Sequence, residues 1–309
     1  MKNFKFCNKL LLILVLGLSV FIFGCDQEDK TGSPWLGGYE GLVVEFEKID
    51  QTTDFTGSFS QVWEDETFPV FIYVNNRGEY EVPANDVFFE IKGIASSDFS
   101  GLSFTKRNSE TIERVSEFMP NGGETYVDFG SAKYNRLVGT HYDAEIFIYY
   151  TYPYKTTVNV QDVCYKYDPK DTTICKVDSV RSAHASGGPI QIGTVTQRYI
   201  GKGSIIVEIP IKNVGKGKVK PAESHEFNSV HDEIYFETND RDWECRSRGN
   251  PSIARITHQD GVRSNTETVI LCTNRNVEAG ANYQKAVTLE LTYYYQDWIS
   301  HKIRIKENP

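Results

Sequence analysis

Apolar and polar residues alternate with period two in two stretches that read almost alike. In the first, Phe68, Val70, Ile72 and Val74 fall on one face; in the second, Ile205, Val207, Ile209 and Ile211 do. This is the spacing of half-buried strands. Each stretch runs on into Asn-x-Gly, Asn76-Arg77-Gly78 and Asn213-Val214-Gly215, where Asn and Gly are expected to supply the positive φ of a turn. Around the first copy the same alternation predicts strands at 42–46, 87–92, 124–129 and 146–152. A turn at Pro153 is expected to lead into another strand through Thr156, Val158 and Val160. Around the second copy it predicts strands at 190–192, 234–237, 267–271, 287–295 and 303–305. The intervals 96–123 and 238–266 read as long polar loops, the first with a short helical turn at Ile112 and Val115.

The landmarks recur in one order. Glu124-Thr125 is answered by Glu267-Thr268, and the tyrosine-ending strand at 146–152 by 287–295. The spacing between copies drifts by a few residues, as loop insertions between matched strands produce. The chain therefore reads as all-β: two tandem Ig-like antiparallel β-sandwich domains, 39–180 and 187–309, after an N-terminal signal/lipoprotein helix. Pro69 and Pro210 cannot donate to a ladder and mark edges or bulges. Tyr142 and Tyr283, just before the late strands, are candidates for a tyrosine whose hydroxyl bonds the backbone at a sandwich corner.

The run Asp65-Glu66-Thr67-Phe68-Pro69-Val70-Phe71-Ile72-Tyr73-Val74-Asn75-Asn76-Arg77-Gly78 resembles the strand-turn signature of CARDB-type, immunoglobulin-like domains of bacterial and archaeal surface proteins. The stretch from Gly203 to Gly215 is similar. The resemblance implies seven-stranded sandwiches that serve as spacers, adhesion modules or envelope components, without catalysis. Both halves here are longer than that family's usual domain.

The N-terminus adds a location. Lys2, Lys5 and Lys9 precede an apolar run from Leu10 to Phe23, shorter than the roughly 20 residues a spanning helix needs. Residues 1–24 read as a secretory signal peptide. The ending Ile22-Phe23-Gly24-Cys25 resembles the lipobox of prokaryotic lipoproteins, which implies a lipid on Cys25; an uncleaved signal anchor is the alternative. Residues 25–38 then form a polar tether. The expected address is extracytoplasmic, at the cell surface or in the periplasm, with the membrane as one partner and an envelope protein or glycan as another. The net charge of −9 argues against nucleic acid as a partner.

Cysteine usage fits that address. With Cys7 in the signal and Cys25 reserved for lipid, Cys164, Cys175, Cys245 and Cys272 remain, an even number in an exported chain. Cys164–Cys175 and Cys245–Cys272 are the preferred pairs because each stays within one half. The first would staple a hairpin turning at 168–171. A four-cysteine metal site is the weaker alternative, since the paired Cys-x-x-Cys spacing is missing.

Candidate chemistry is sparse. No Gly-x-Ser-x-Gly or His-Glu-x-x-His is present, so no enzyme and no cofactor are expected. His225 and His231, near Glu223, Glu226, Asp232 and Glu233, could ligate Zn²⁺ only if a loop brought them together. Asp240 and Asp242, with Asn239 and Glu244, could offer oxygens to Ca²⁺; a solvated loop is the plainer reading of both groups. Trp35, Trp63, Trp243 and Trp298 are scattered and read as strand-end residues or stacking surfaces. The expectation is a non-catalytic, membrane-anchored structural or adhesive module. The alternative is a ligand-binding lipoprotein for a sugar, peptide or metal, using the long loops.

Overall fold

The computed structural model describes residues 33–47, 51–54, 57–170, 173–258 and 266–308. The expected signal peptide, Cys25 and most of the expected tether lie outside them. The chain divides into Met1–Pro34 and a compact body, Trp35–Pro309. Its described residues contain strands and no helix. In the first half these are β1 (Leu42–Phe46), β2 (Gln51–Asp54), β3 (Gly57–Trp63), β4 (Thr67–Asn76), β5 (Phe88–Lys92), β6 (Phe99–Leu102), β7 (Thr105–Arg107), β8 (Glu124–Tyr134) and β9 (His141–Lys166). The second half holds β10 (Ser179–Val180), β11 (Ala183–Ala185), β12 (Ile190–Ile192), β13 (Thr196–Gly201), β14 (Ser204–Asn213), β15 (Lys218–Lys220) and β16 (His231–Glu237). It continues with β17 (Glu244–Arg246), β18 (Ile253–Thr257), β19 (Thr268–Asn274) and β20 (Asn282–Lys306).

The fold is an all-β sandwich, as the alternation predicts. Three sheets build it. One is a four-stranded sheet in the order β1-β4-β8-β6, and one a sheet in the order β10-β13-β14-β19-β17 with β12 also on β14. The third is a ten-stranded sheet along β18-β16-β20-β9-β5-β7, to which both halves contribute. The halves share a topology that includes an unusual excursion. After β5 the chain crosses to pair β6 with β8, then returns to pair β7 with β5. After β16 it crosses to pair β17 with β19, then returns to pair β18 with β16. The intervals 96–123 and 238–266, expected as loops, carry these short strands. Ile112 bridges to Val82 in extended backbone rather than sitting on a helical turn.

The largest departure from the alternation is the length of β9 and β20. They pair antiparallel from Asn282↔Lys166 to Lys306↔His141, straight through Pro153, where a turn is expected, and through 296–302, where a break is expected. Pro153 is tolerated because the other edge of β9 is vacant there. β5 pairs up to Thr151, and β11 joins only at Val158–Val160, so a missing N–H breaks no rung. The halves expected as tandem domains therefore share one sheet. Each covers part of the other's strand: Ile303 and Ile305 of β20 lie beside β3 of the first half, while Tyr165 of β9 meets Trp243 of the second.

The repeated strand-turn is β4 in one half and β14 in the other, and all eight inward residues named above are at most 2% exposed. The turns do not work as expected. None of Asn76, Gly78, Asn213 and Gly215 has positive φ. Instead each Asn side chain holds its own turn. The Asn76 Oδ1 accepts the Gly78 N–H at 3.0 Å, and the Asn213 Oδ1 accepts the Gly215 N–H at 3.0 Å. The glycines are required by space: a Cβ at Gly78 would overlap the Tyr154 hydroxyl, and one at Gly215 the Tyr295 hydroxyl. Gly78→Ala and Gly215→Ala should each cost about 1–3 kcal/mol, the usual penalty of overpacking. The check is a lower urea midpoint with an unchanged slope.

The prolines follow the same logic. Pro69 lies beside a bulge against β8. Pro210 lies where the neighbour of β14 changes from β13 to β12, with no bulge against β19. Tyr142 and Tyr283 make no corner bond. Tyr142 stacks on Tyr134 with centroids 5.1 Å apart, and Tyr283 on Tyr165 at 4.9 Å. Hydroxyl-to-backbone bonds come from other tyrosines, described below.

Near the end of β20, the His301 Nε2 is 2.8 Å from the Ser60 Oγ, and its ring lies 5.3 Å from that of Phe46. Burial lowers the His301 pKa from its ordinary value of 6.5. The unfolded chain therefore takes up this proton first as pH falls. The contribution is whole above about pH 6.5 and is lost as pH drops below it towards the lowered folded value. The melting temperature should fall across that window, and His301→Gln should flatten the fall.

Candidate functional site

The inner face of the ten-stranded sheet is sealed along β9, and along β20 as far as Tyr295. Leu289, Leu291, Tyr293 and Tyr295 are at most 5% exposed, and burial resumes at Ile303 and Ile305. Between them Asp297, Ile299 and His301 are only half-buried. This is the seam where the two covering sheets part. The gap forms a cleft of about 360 Å³, within the range of small-ligand sites of roughly 300–1,000 Å³. Tyr150, Tyr152, Tyr295, Asp297 and Ile299 form its floor. β1, entered through Tyr39 and Glu40, makes one wall, and Val214 to Lys216, just after β14, the other. Both walls are thus built by the repeated strand-turn and its neighbours.

The floor is aromatic because both long strands place tyrosines on the inner face at their crossing. Tyr152 stands opposite Tyr295, and Tyr154 opposite Tyr293. Tyr150 and Tyr152 are stacked, with planes 11° apart. Burial pushes the Tyr150 phenol well up, and the nearby Asp297 carboxylate adds to the shift. Tyr152 is raised for the same first reason. Both remain protonated at neutral pH, so they present hydroxyls and not phenolates.

A second aromatic group lies on the outer face of the same sheet. Trp298, half exposed, has its ring 5.4 Å from Phe147 and 6.4 Å from Tyr149. The Lys92 ammonium sits 4.9 Å over Tyr149. The other described tryptophans behave differently: the Trp243 indole N–H donates to the Tyr165 hydroxyl at 2.9 Å and is buried.

Of the residues singled out in the sequence, the cysteines pair as preferred, Cys164–Cys175 and Cys245–Cys272. The second bridge joins directly facing residues of β17 and β19. The first does not staple a hairpin. It ties β9 to the segment after it, whose carbonyls at Thr173 and Cys175 accept bonds from the buried Lys166 ammonium. Two disulfides fit a chain that matures outside the cytoplasm.

The metal candidates do not converge. His231 lies 3.4 Å from Glu233, Asp240 pairs with Lys285 at 2.9 Å, and the Asp242 N–H donates to Asp240. His225 is exposed in a turn. Among the described residues no group of three or more metal-ligating side chains comes together. A shallow hollow lies beside Asp240 and Lys285. Asp232, grouped with the histidines in sequence, is instead buried and structural. Its carboxylate accepts the Asn213 Nδ2–H and the Val219 N–H, each at 2.9 Å, with the buried His258 ring 3.4 Å away.

The seam cleft has no linear signature. Its residues come from five separate stretches, and only the inward tyrosines at 150, 152 and 295 hint at it. No known family model matches the chain, and no curated protein is similar to it.

Proposed function

We propose that this chain is a non-catalytic envelope or surface protein, a structural and adhesive module held to the membrane through a lipid on Cys25. The observation that carries the reading is the β9–β20 ladder, which locks both halves into one body. Tension entering through an N-terminal anchor would meet a long row of main-chain hydrogen bonds instead of a domain linker. CARDB-type modules, which the strand-turn resembles, serve such roles. The test is made in a bacterium that lipidates exported proteins. The full chain should partition with membranes, and Cys25→Ser should release it and remove the lipid mass. A Cys25→Ser chain that stays membrane-bound with unchanged mass would refute the lipid anchor.

A second reading, a ligand-binding lipoprotein, is favoured by the seam cleft. The binding surface in this reading is the junction of the halves and not the long loops. Ile299→Arg, which places a long charged side chain on the cleft floor, should abolish binding of envelope material to beads carrying the full chain. Undiminished capture by the variant would exclude the cleft.

A further inference from the structure

Ser116 and Met119 exchange both backbone hydrogen bonds, each at 3.1 Å, and the Met119 N–H also donates to the Ser116 Oγ. This closes a tight turn with Glu117 and Phe118 at its apex, neither of them with positive φ. The turn is tied to the fold on both sides. The Gly122 N–H donates to the Met119 carbonyl at 3.0 Å, and the Asn75 Nδ2–H to the Asn121 carbonyl at 3.1 Å. Before the turn, the Val115 N–H donates to the Gly78 carbonyl at 2.8 Å. Turn apices favour Gly, Pro, Asn, Asp and Ser. Here the apex carries Phe118, 98% exposed, with Met119 beside it at 40%. A lone exposed apolar side chain is ordinary on a protein surface. A ring held out into solvent by a hydrogen-bonded turn, among other exposed apolar groups, is not.

Those groups gather where the chain enters the body. The Glu79 carboxylate accepts the Leu36 N–H at 2.8 Å and the Gly37 N–H at 3.1 Å, and Glu79 directly follows the Gly78 that holds Val115. Leu36 is 40% exposed and Tyr39 70%. Phe118 is three residues on from Val115, a span of at most about 10 Å. Ten residues separate Cys25 from Trp35, so a lipid on Cys25 holds Trp35 within about 35 Å of a bilayer. Charge decides the kind of leaflet. Around the turn Glu79, Glu81, Glu113 and Glu117 outnumber Arg77 and Arg114, and a hydrogen bond with Glu81 raises the Glu113 pKa above its ordinary value. Such a surface is repelled by anionic lipid and tolerated by zwitterionic lipid. Resting on the lipid-anchor reading above, we propose that the Phe118–Met119 turn inserts into the headgroup region of a zwitterionic leaflet beside the Cys25 anchor. The amphipathic ring of Tyr39 suits the same interface, and the insertion fixes which side of the body faces the membrane.

Met1 and Met119 are the only methionines, so isotope-labelled methionine methyl groups put an NMR probe on the turn itself, and Met119→Leu assigns its signal. The full chain is made in a bacterium that lipidates exported proteins and is placed in phosphatidylcholine nanodiscs. Spin-labelled acyl chains in the disc should broaden the Met119 signal until it is lost. Phe118→Ser removes a side chain the fold does not use, so its melting temperature and disc binding should match those of the parent. Its Met119 signal should largely survive the spin label. A Met119 signal that stays sharp in a lipidated, disc-bound chain would overturn the insertion and leave the anchor reading standing, with a protein partner then the occupant of the turn. Equal broadening in parent and Phe118→Ser would also overturn the proposal, since the ring would then not hold the turn in the lipid. A chain with no lipid mass and no disc binding would overturn both the proposal and the anchor.

Discussion

Produced separately, residues 35–181 and 182–309 should not fold, and neither should give a cooperative melting transition. Cutting the chain between Arg181 and Ser182 strips the first fragment of Ile303 and Ile305, and the second of Val158, Val160 and Val163, all at most 2% exposed, and parts β10 from β13. Full burial of each such side chain contributes about 1.5–3 kcal/mol. The loss, about 3–6 kcal/mol in the first half and about 4.5–9 kcal/mol in the second, is comparable with the lower part of a domain's whole stability, about 5–15 kcal/mol. Each fragment would also expose a long unpaired edge, β9 in one and β20 in the other, a template for aggregation. Co-production should restore a single cooperative particle, checked by calorimetry and amide dispersion. A sharp transition from residues 35–181 alone would show that the first half is a domain in its own right.

Asp232→Ala should be the most damaging single substitution in the second half, at about 3–5 kcal/mol, the range for breaking a buried polar network by removing one partner. It deprives the Asn213 amide and the Val219 N–H of their acceptor and leaves His258 beside a void. The first half offers an internal comparison. There the Asn76 amide donates to the carbonyls of Tyr80 and Ile112, so no single side-chain deletion can remove its acceptors. Asp232→Asn, which keeps one acceptor oxygen, should cost less than the alanine. Urea midpoints of the two variants, compared at constant slope, decide the ranking.

Strand positions and their facing were legible because one-sided burial forces period-two alternation, seen in β4 and β14. The duplication was legible for the same reason, and the cysteine pairing because each pair lies within one half. The continuity of β9 was not. Proline signals a break only if its missing N–H would have met a partner, and the vacancy beside Pro153 is set by where β5 and β11 end, which is a tertiary fact. The glycines of Asn-x-Gly were legible as special, but the reason lies in Tyr154 and Tyr295, which belong to distant strands. The seam cleft was hidden because it arises from how two covering sheets fail to meet. Tyr150 differs from Tyr152 only in what happens to lie above it.

The parallel pairing of β3 with the end of β20, Ser60 to Ile303 through Trp63 to Lys306, bears on biogenesis. A nascent chain cannot pair β3 in this way until Ile303 to Lys306 have been made. Contacts between such remote positions also form slowly. For a chain that matures outside the cytoplasm, as the two disulfides suggest, such a delay would keep the early strands open until the late ones are supplied.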